Sequence, residues 1–456
     1  MRIAAGVACV GIMFGVARAA ESPAVDHPLL HSIAGDIRAY ELEATITHLV
    51  AFGTRHTLSD TVSPTRGIGA ARRWVKSRFV EISRHCGGCL KIETPVQTIS
   101  GERIPKAASV MDVLAIQRGT SDPDRVIVIS GHIDSRVTDV MNATNDAPGA
   151  DDDGSGTAAV LEAARVLSRH KFAATLVYAV LSGEEQGLYG GKLLAQYAHD
   201  HQWQVEADLN NDIVGNTTGE NGVSDSTHVR VFSEGTRSTE TPEEAARRRY
   251  NGGEVDSASR NIVRFIAGLA DHYLTNFSAR MVYRTDRYSR GGDQVPMLAA
   301  GFPAVRFTEA IENYTHEHQD VRNAGNVEYG DLLKFVDFPY LAQVTRLNAV
   351  AMAAMALAPA PPATLKIEGS VAHDTTISWT PTSGAANYRV WWRDTTAPFW
   401  TDSRAAGDAT SLVLKDITID DWFFGVSSVS ADGYESPVEF PGVAGAFVAP
   451  TSPAAR

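Results

Sequence analysis

Arg125-Val126-Ile127-Val128-Ile129-Ser130-Gly131-His132-Ile133-Asp134 is the stretch whose reading sets the fold. Its apolar, β-branched first half reads as a strand buried on both faces. Its second half places a histidine and an aspartate where the chain leaves that strand. Downstream, Thr157 to Ser168 carries Ala158, Leu161, Ala164, Val166 and Leu167 at helical spacing. Thr175 to Leu181 reads as another buried strand, Tyr189 to His199 as a helix, and Ala207 to Val214 and Ala304 to Thr308 as further strands. This order predicts an α/β fold, a mostly parallel, mixed sheet with helices on both faces. In such sheets ligands bind beyond the carboxyl ends of the strands.

Outward from this centre the composition changes. The chain has 456 residues, enough for two or three domains. Arg2, the apolar run Ile3 to Val16 and Ala17-Arg18-Ala19 match a secretory signal, residues 1–19. The expected compartment is therefore extracellular or periplasmic. No later stretch is long and apolar enough to span a membrane; the Ala-rich run Leu347 to Ala358 reads as a helix ending. Pro359-Ala360-Pro361-Pro362 marks a stiff linker, residues 359–363, after a main domain of residues 20–358. Beyond it, residues 364–448 show only short strands with polar turns, the pattern of an all-β sandwich. Formal charge is −13, from 41 basic and 54 acidic residues, which argues against nucleic acid as a partner. Cys86-Gly87-Gly88-Cys89 follows a helix-like segment and reads as a small structural disulfide of an oxidising compartment.

The chemistry-bearing residues recur at strand ends. His132-Ile133-Asp134 fits a metal ligand with a supporting carboxylate. Asp151-Asp152-Asp153 opens a helix between glycines, and three adjacent acids repel unless a cation neutralises them. Ser182-Gly183-Glu184-Glu185 follows a buried strand, so one glutamate can bind metal while the other handles a proton. Asp212 lies at the end of the next strand. Thr315-His316-Glu317-His318-Gln319-Asp320 follows the last one.

In this order, His132, Asp134, Asp152, Glu184-Glu185, Asp212 and His316 resemble the M28 family of zinc aminopeptidases, over Gly131 to Asp320. Ala147-Pro148-Gly149-Ala150-Asp151-Asp152-Asp153 is the most specific element. The resemblance implies a zinc-exopeptidase-like fold holding two Zn²⁺ per chain, about 3.5 Å apart, with Mn²⁺ or Co²⁺ as substitutes. His132 and Asp212 would hold one ion, Glu185 and His316 the other, and Asp152 both. His316 is favoured over His318 because an aspartate, Asp320, follows it by four residues. Asp134 would orient His132, and Glu184 would be the general base. The peptide Asp152-Asp153 would be cis.

The implied activity is hydrolysis of N-terminal residues from peptides. The alternatives are a carboxypeptidase or deacylase on the same scaffold, or a binding protein without metals. Tyr288 is a candidate to stabilise the oxyanion and Arg290 to bind a substrate carboxylate; Gln294 stands where relatives often have a histidine. Arg55-His56-Thr57 is shared with relatives without an assigned role. The C-terminal segment resembles a fibronectin type III domain through Trp379, Tyr388-x-Val390, Leu414 and Trp422-x-x-x-Val426. Every expected ligand precedes Asp320 and the proline linker, so the segment reads as separable from the chemistry and available for attachment to a polymer or protein. The alternative is that Trp391, Trp392 or Trp400 packs against the main domain and shapes its cleft.

Overall fold

The computed structural model describes residues 25–447, so the expected signal segment 1–19 and residue 448 lie outside the described residues. Three helices, α1 (Pro28–Asp36), α2 (Ala39–Val50) and α3 (Gly67–His85), lead into strands β1 (Leu90–Glu93), β2 (Val96–Gly101), β3 (Ile104–Met111), β4 (Val113–Gln117) and β5 (Asp122–His132). Alternation then sets in with α4 (Gly154–Leu167), β6 (Ala174–Leu181), α5 (Tyr189–Asp200), β7 (Gln204–Asn211) and β8 (His228–Phe232). Next come α6 (Pro242–Asn251), α7 (Ala258–Tyr273), β9 (Ser278–Val282), α8 (Gln294–Ala299) and β10 (Ala304–Glu309). A short hairpin, β11 (Arg322–Ala324) and β12 (Val327–Tyr329), precedes α9 (Phe338–Leu357).

The main sheet runs β1-β4-β6-β5-β7-β10-β8-β9. Its four middle strands, β6, β5, β7 and β10, are parallel. The flanks β4–β6, β1–β4 and β10–β8 pair antiparallel, which makes the sheet mixed, as expected. Side chains alternate across β5. Ile127 and Ile129 enter the larger core with α4, α7 and α9, whereas Val126 and Val128 enter the smaller one with Leu194, Ala195 and Ala198 of α5. A helix on each face buries both sides of the strands, which is why they read as unbroken apolar runs. α9 is also buried nearly all round, and no helix among the described residues is long and apolar enough to cross a membrane. From β5 the chain crosses through α4 to β6 on one side, then through α5 to β7 on the other. That reversal opens a crevice at the carboxyl ends of the strands.

After α9 the chain forms two three-stranded antiparallel sheets. One is built from β13 (Ala363–Glu368), β14 (Thr375–Thr380) and β17 (Ser411–Leu414), the other from β16 (Asp402–Gly407), β15 (Asn387–Asp394) and β18 (Trp422–Val429). Ile377, Trp379, Tyr388, Trp392 and Val426 fill the space between them. The sheets do not stand apart from the main body. Trp391 and Trp400 cluster with Val438 and Phe440 instead, while Phe399 and Phe447 join the core of the α/β body. The segment is packed against α7 and the entry to α1, through Arg264 on the Pro398 carbonyl, Arg393 on Asp256 and His27 on Tyr434. At this seam Gly252 (φ 78°) has no room for a side chain, since a Cβ would lie 2.3 Å from Phe423 Cε1. Cys86 and Cys89 are disulfide-bonded at the end of α3.

Candidate metal centre

Five side chains converge at the crevice. His132 is the last residue of β5, and Asp212 directly follows β7. Glu185 sits on the turn after β6, where Gly183 takes a left-handed φ of 80° that favours glycine. Asp152 comes from the loop before α4, at a cis Asp152-Asp153 peptide. His318 reaches in from the loop after β10.

His132 Nε2 lies 3.2 Å from Asp152 Oδ1 and 3.8 Å from Asp212 Oδ1. On the other side, His318 Nε2 lies 2.9 Å from Asp152 Oδ2 and 3.1 Å from Glu185 Oε1. Asp152 thus turns one oxygen to each of two donor groups, His132–Asp152–Asp212 and Asp152–Glu185–His318. All but His318 are at most 5% exposed. His132 Nε2 and Glu185 Oε1 are buried without a hydrogen-bond partner. Buried polar atoms are rarely left so, and bound cations are one way to satisfy them. Two imidazoles and three carboxylates without a thiolate fit Zn²⁺.

His316 is not part of this group, which corrects the register expected from sequence. Its ring stacks on Phe335 with centroids 3.7 Å apart. His318 has a left-handed φ of 53°, and it is the imidazole that meets Asp152 and Glu185. The distance to Asp320 was the wrong guide, because Asp320 donates its backbone N–H to Thr138 Oγ1 at the loop surface.

A polar layer holds these side chains. Asp134 meets His132 through its backbone oxygen rather than through the carboxylate expected to orient it. Its carboxylate stands 3.7 Å from His132 Nδ1, while its backbone oxygen is nearer, at 3.0 Å. The carboxylate instead accepts from the backbone of Gly183 (2.8 Å), Glu184 (3.3 Å) and Glu185 (3.2 Å), and from Thr57 Oγ1 (2.9 Å). Asp134 therefore shapes the Glu184-Glu185 turn. Arg55 ties the β5 exit to the loop before α4 by donating to the carbonyls of Ile133, Pro148 and Gly149. Those contacts give structural work to Arg55 and Thr57. Asp153 caps α4 through Gly156 and accepts from the His132 backbone. Asp331 accepts from the backbone of Asp151 and Asp152.

Arg306 and Asp331 were not singled out in the sequence. Arg306 offered a signal: a cation inside the apolar run Ala304 to Thr308 must find a buried partner. Its Nη2 lies 2.8 Å from Asp212 Oδ1. Burial works to raise the Asp212 pKa, but Arg306 and His132 hold it at about 2. Burial likewise opposes ionisation of Asp152, and the two histidines hold it well below the carboxylate range. Burial, reinforced by Asp212, Glu185 and Asp293, pushes Glu184 well above that range. Glu184 keeps part of its surface open at the crevice.

The two candidate substrate residues are placed less favourably. Tyr288 is 80% exposed, with its ring beside Arg284. Arg290 pairs with Glu312 at 3.0 Å and Glu317 at 3.2 Å, so two carboxylates already hold its guanidinium. Gln294 is buried and donates to Asp286 Oδ2 at 2.6 Å.

The model of Peptidase family M28 matches residues 112–336. A probable zinc metalloprotease of Pyrenophora tritici-repentis is 42% identical over 419 residues, covering 90% of this chain and 86% of that protein. One from Pyricularia oryzae is 44% identical over 426 residues, covering 90% and 84%. Such coverage includes part of the chain beyond α9, because residues 1–358 make up less than four-fifths of it. Among solved structures, LapA of Legionella pneumophila superposes with a TM-score of 0.52 at 18% identity, over 74% of this chain and 78% of that one. LapB of the same organism gives 0.52 at 18%, over 73% and 77%. At that identity the likeness is one of fold.

Proposed function

The chain belongs to the zinc metallopeptidases of family M28, and from that premise we propose that it is a secreted or periplasmic aminopeptidase holding two Zn²⁺. Asp152 carries the reading: its two carboxylate oxygens face separate donor groups, as a residue shared by two ions requires. His132 and Asp212 complete one set, Glu185 and His318 the other. Mn²⁺ or Co²⁺ could replace Zn²⁺. When bound, such a pair acidifies a water and polarises the scissile carbonyl.

The chain's own groups do the rest. Glu184 takes the proton of the attacking water and delivers it to the leaving amine. Asp134, through three backbone N–H groups, holds Glu184 at the reacting position. Arg306 fixes Asp212 and offsets one of the clustered negative charges. A crevice rich in carboxylates favours a substrate's free ammonium end. The carboxypeptidase alternative needs a free cation for the C-terminal carboxylate, and Arg290 is engaged by Glu312 and Glu317. In this reading residues 1–19 are removed as a signal. The catalytic unit is residues 20–358, and the sandwich to residue 448, fibronectin type III-like, is a companion that could also hold a polymer or protein.

The test is a panel of aminoacyl p-nitroanilides, N-acetylated peptides and C-terminally amidated peptides, with and without chelator. Cleavage of free-amino substrates and amides, loss on N-acetylation and loss on chelation are expected. Cleavage only of peptides with a free carboxylate would overturn the assignment.

A further inference from the structure

A second group of metal-binding side chains lies at the surface, where the chain enters α1. Asp26 Oδ1 is 2.8 Å from His31 Nε2 and 3.0 Å from His272 Nε2. His31 stands in the first half of α1 and His272 in the last turn of α7. All three donor atoms lie within 4.8 Å of one another. Bonds of 2.0–2.2 Å around a tetrahedral zinc place ligand atoms roughly 3.3 Å apart. The central site shows donor spacings of 2.9 to 3.8 Å, so the peripheral group is only a few tenths of an ångström tighter than that geometry asks.

Both imidazoles aim the same nitrogen at the same oxygen. Without a cation, each must carry its proton on Nε2, and a single oxygen accepts both. One divalent ion at the point of convergence replaces both protons and uses all three groups as ligands. Two imidazoles and a carboxylate suit Zn²⁺, and their exposed position leaves a fourth place for water.

The location gives the site a role. His27, one residue on, stacks on Tyr434 of the C-terminal segment with centroids 3.8 Å apart. Its backbone N–H donates to Tyr273 Oη at 3.1 Å. The entry to α1 thus spans the seam between α7 and the sandwich. We propose that Asp26, His31 and His272 form a peripheral Zn²⁺ site, separate from the central one, that clamps this entry segment onto α7 and steadies the seam.

The test uses the full chain with its central ions in place, freed of loosely held metal by desalting and then titrated with Zn²⁺ at pH 7.5. Calorimetry and elemental analysis should show one further ion per chain, and Tm should rise by a few degrees. The double variant His31→Gln/His272→Gln keeps amide donors toward Asp26 but lacks the imidazoles. It should retain the original ions, take up no further one and show no zinc-dependent rise in Tm. Asp26→Asn should behave alike. The difference between wild type and variant reads this site alone, whatever the central site holds. A wild-type chain that takes up no further ion, or a double variant that takes up as many, overturns the proposal.

Discussion

Arg393 Nη2 lies 2.7 Å from Asp256 Oδ1, and neither side chain is more than 1% exposed. The pair joins β15 of the sandwich to the loop before α7. The same oxygen accepts from Arg264 Nη1 at 2.9 Å, and the Trp400 ring stands 5.8 Å from the Arg264 guanidinium and 5.4 Å from that of Arg393. A carboxylate buried between two guanidiniums and an indole is costly to separate, because each charge would lose its partner.

The seam therefore belongs to the folded unit. A chain ending at Ala358 would uncover Asp256 and the core surface now covered by Phe399 and Phe447. Low soluble yield and binding of an apolar dye are expected of it. The milder variant Arg393→Met should lower stability by roughly 1.5–3 kcal/mol, the range for a hydrogen bond to a charged group. Thermal melting of both proteins checks this. A truncated chain melting within a few degrees of the full one would show that the seam is dispensable.

Metal content separates the two histidines after β10. His318→Ala should lose about one of two ions and most of the activity. His316→Ala gives up a stack on Phe335 and should keep both ions. Elemental analysis of purified variants decides it, and equal loss in both would contradict the assignment of His318.

Glu184→Gln should leave metal content and melting temperature near wild type. Its kcat should fall by about 10²–10⁴-fold, the usual share of general acid–base catalysis. Turnover close to wild type on an aminoacyl p-nitroanilide would remove Glu184 from the proton path.

These cases show where sequence was informative. The parallel strands were legible because helices cover both faces, so a whole strand is written in apolar letters. His132, Asp152, Glu185 and Asp212 were legible because each lies at or just past a strand end, or at the mouth of a helix. His318 was not, since two histidines two residues apart differ only in the local backbone, and spacing along the chain does not reveal a left-handed residue. Arg306, Asp331 and Thr57 act across long stretches of chain, and no local pattern encodes their partners. Which tryptophan of β15 turns to the seam was hidden by alternation along the strand. Adjacent residues point to opposite faces, so Trp392 fills the sandwich core while Trp391 turns to the seam cluster. In sequence the two tryptophans look alike.

The pH dependence of stability offers a last prediction, from a residue four positions before Asp212. Asp208 lies on β7 between two other strands and is fully buried. Ser130 Oγ donates to its Oδ1 at 2.8 Å, while Oδ2 has no partner. Burial raises its pKa from 3.8 to about 7, with the hydrogen bond from Ser130 pulling the other way and Asp293 adding to the rise. A carboxyl whose folded pKa exceeds its unfolded one binds its proton more tightly when folded. Its contribution is full below about pH 4 and is lost as pH rises through 7. The shift corresponds to about 4 kcal/mol at most. Asp208→Asn, neutral at every pH and nearly the same shape, should abolish this contribution. Glu234, also raised to about 7 by burial, titrates in the same range, so the wild-type profile alone does not isolate Asp208. The difference between wild type and variant does. Melting curves from pH 4 to 8 should show Asp208→Asn gaining on wild type by several degrees as pH rises, with most of the gain between pH 5 and 7.5. Parallel profiles would mean that Asp208 does not change its charge in that range.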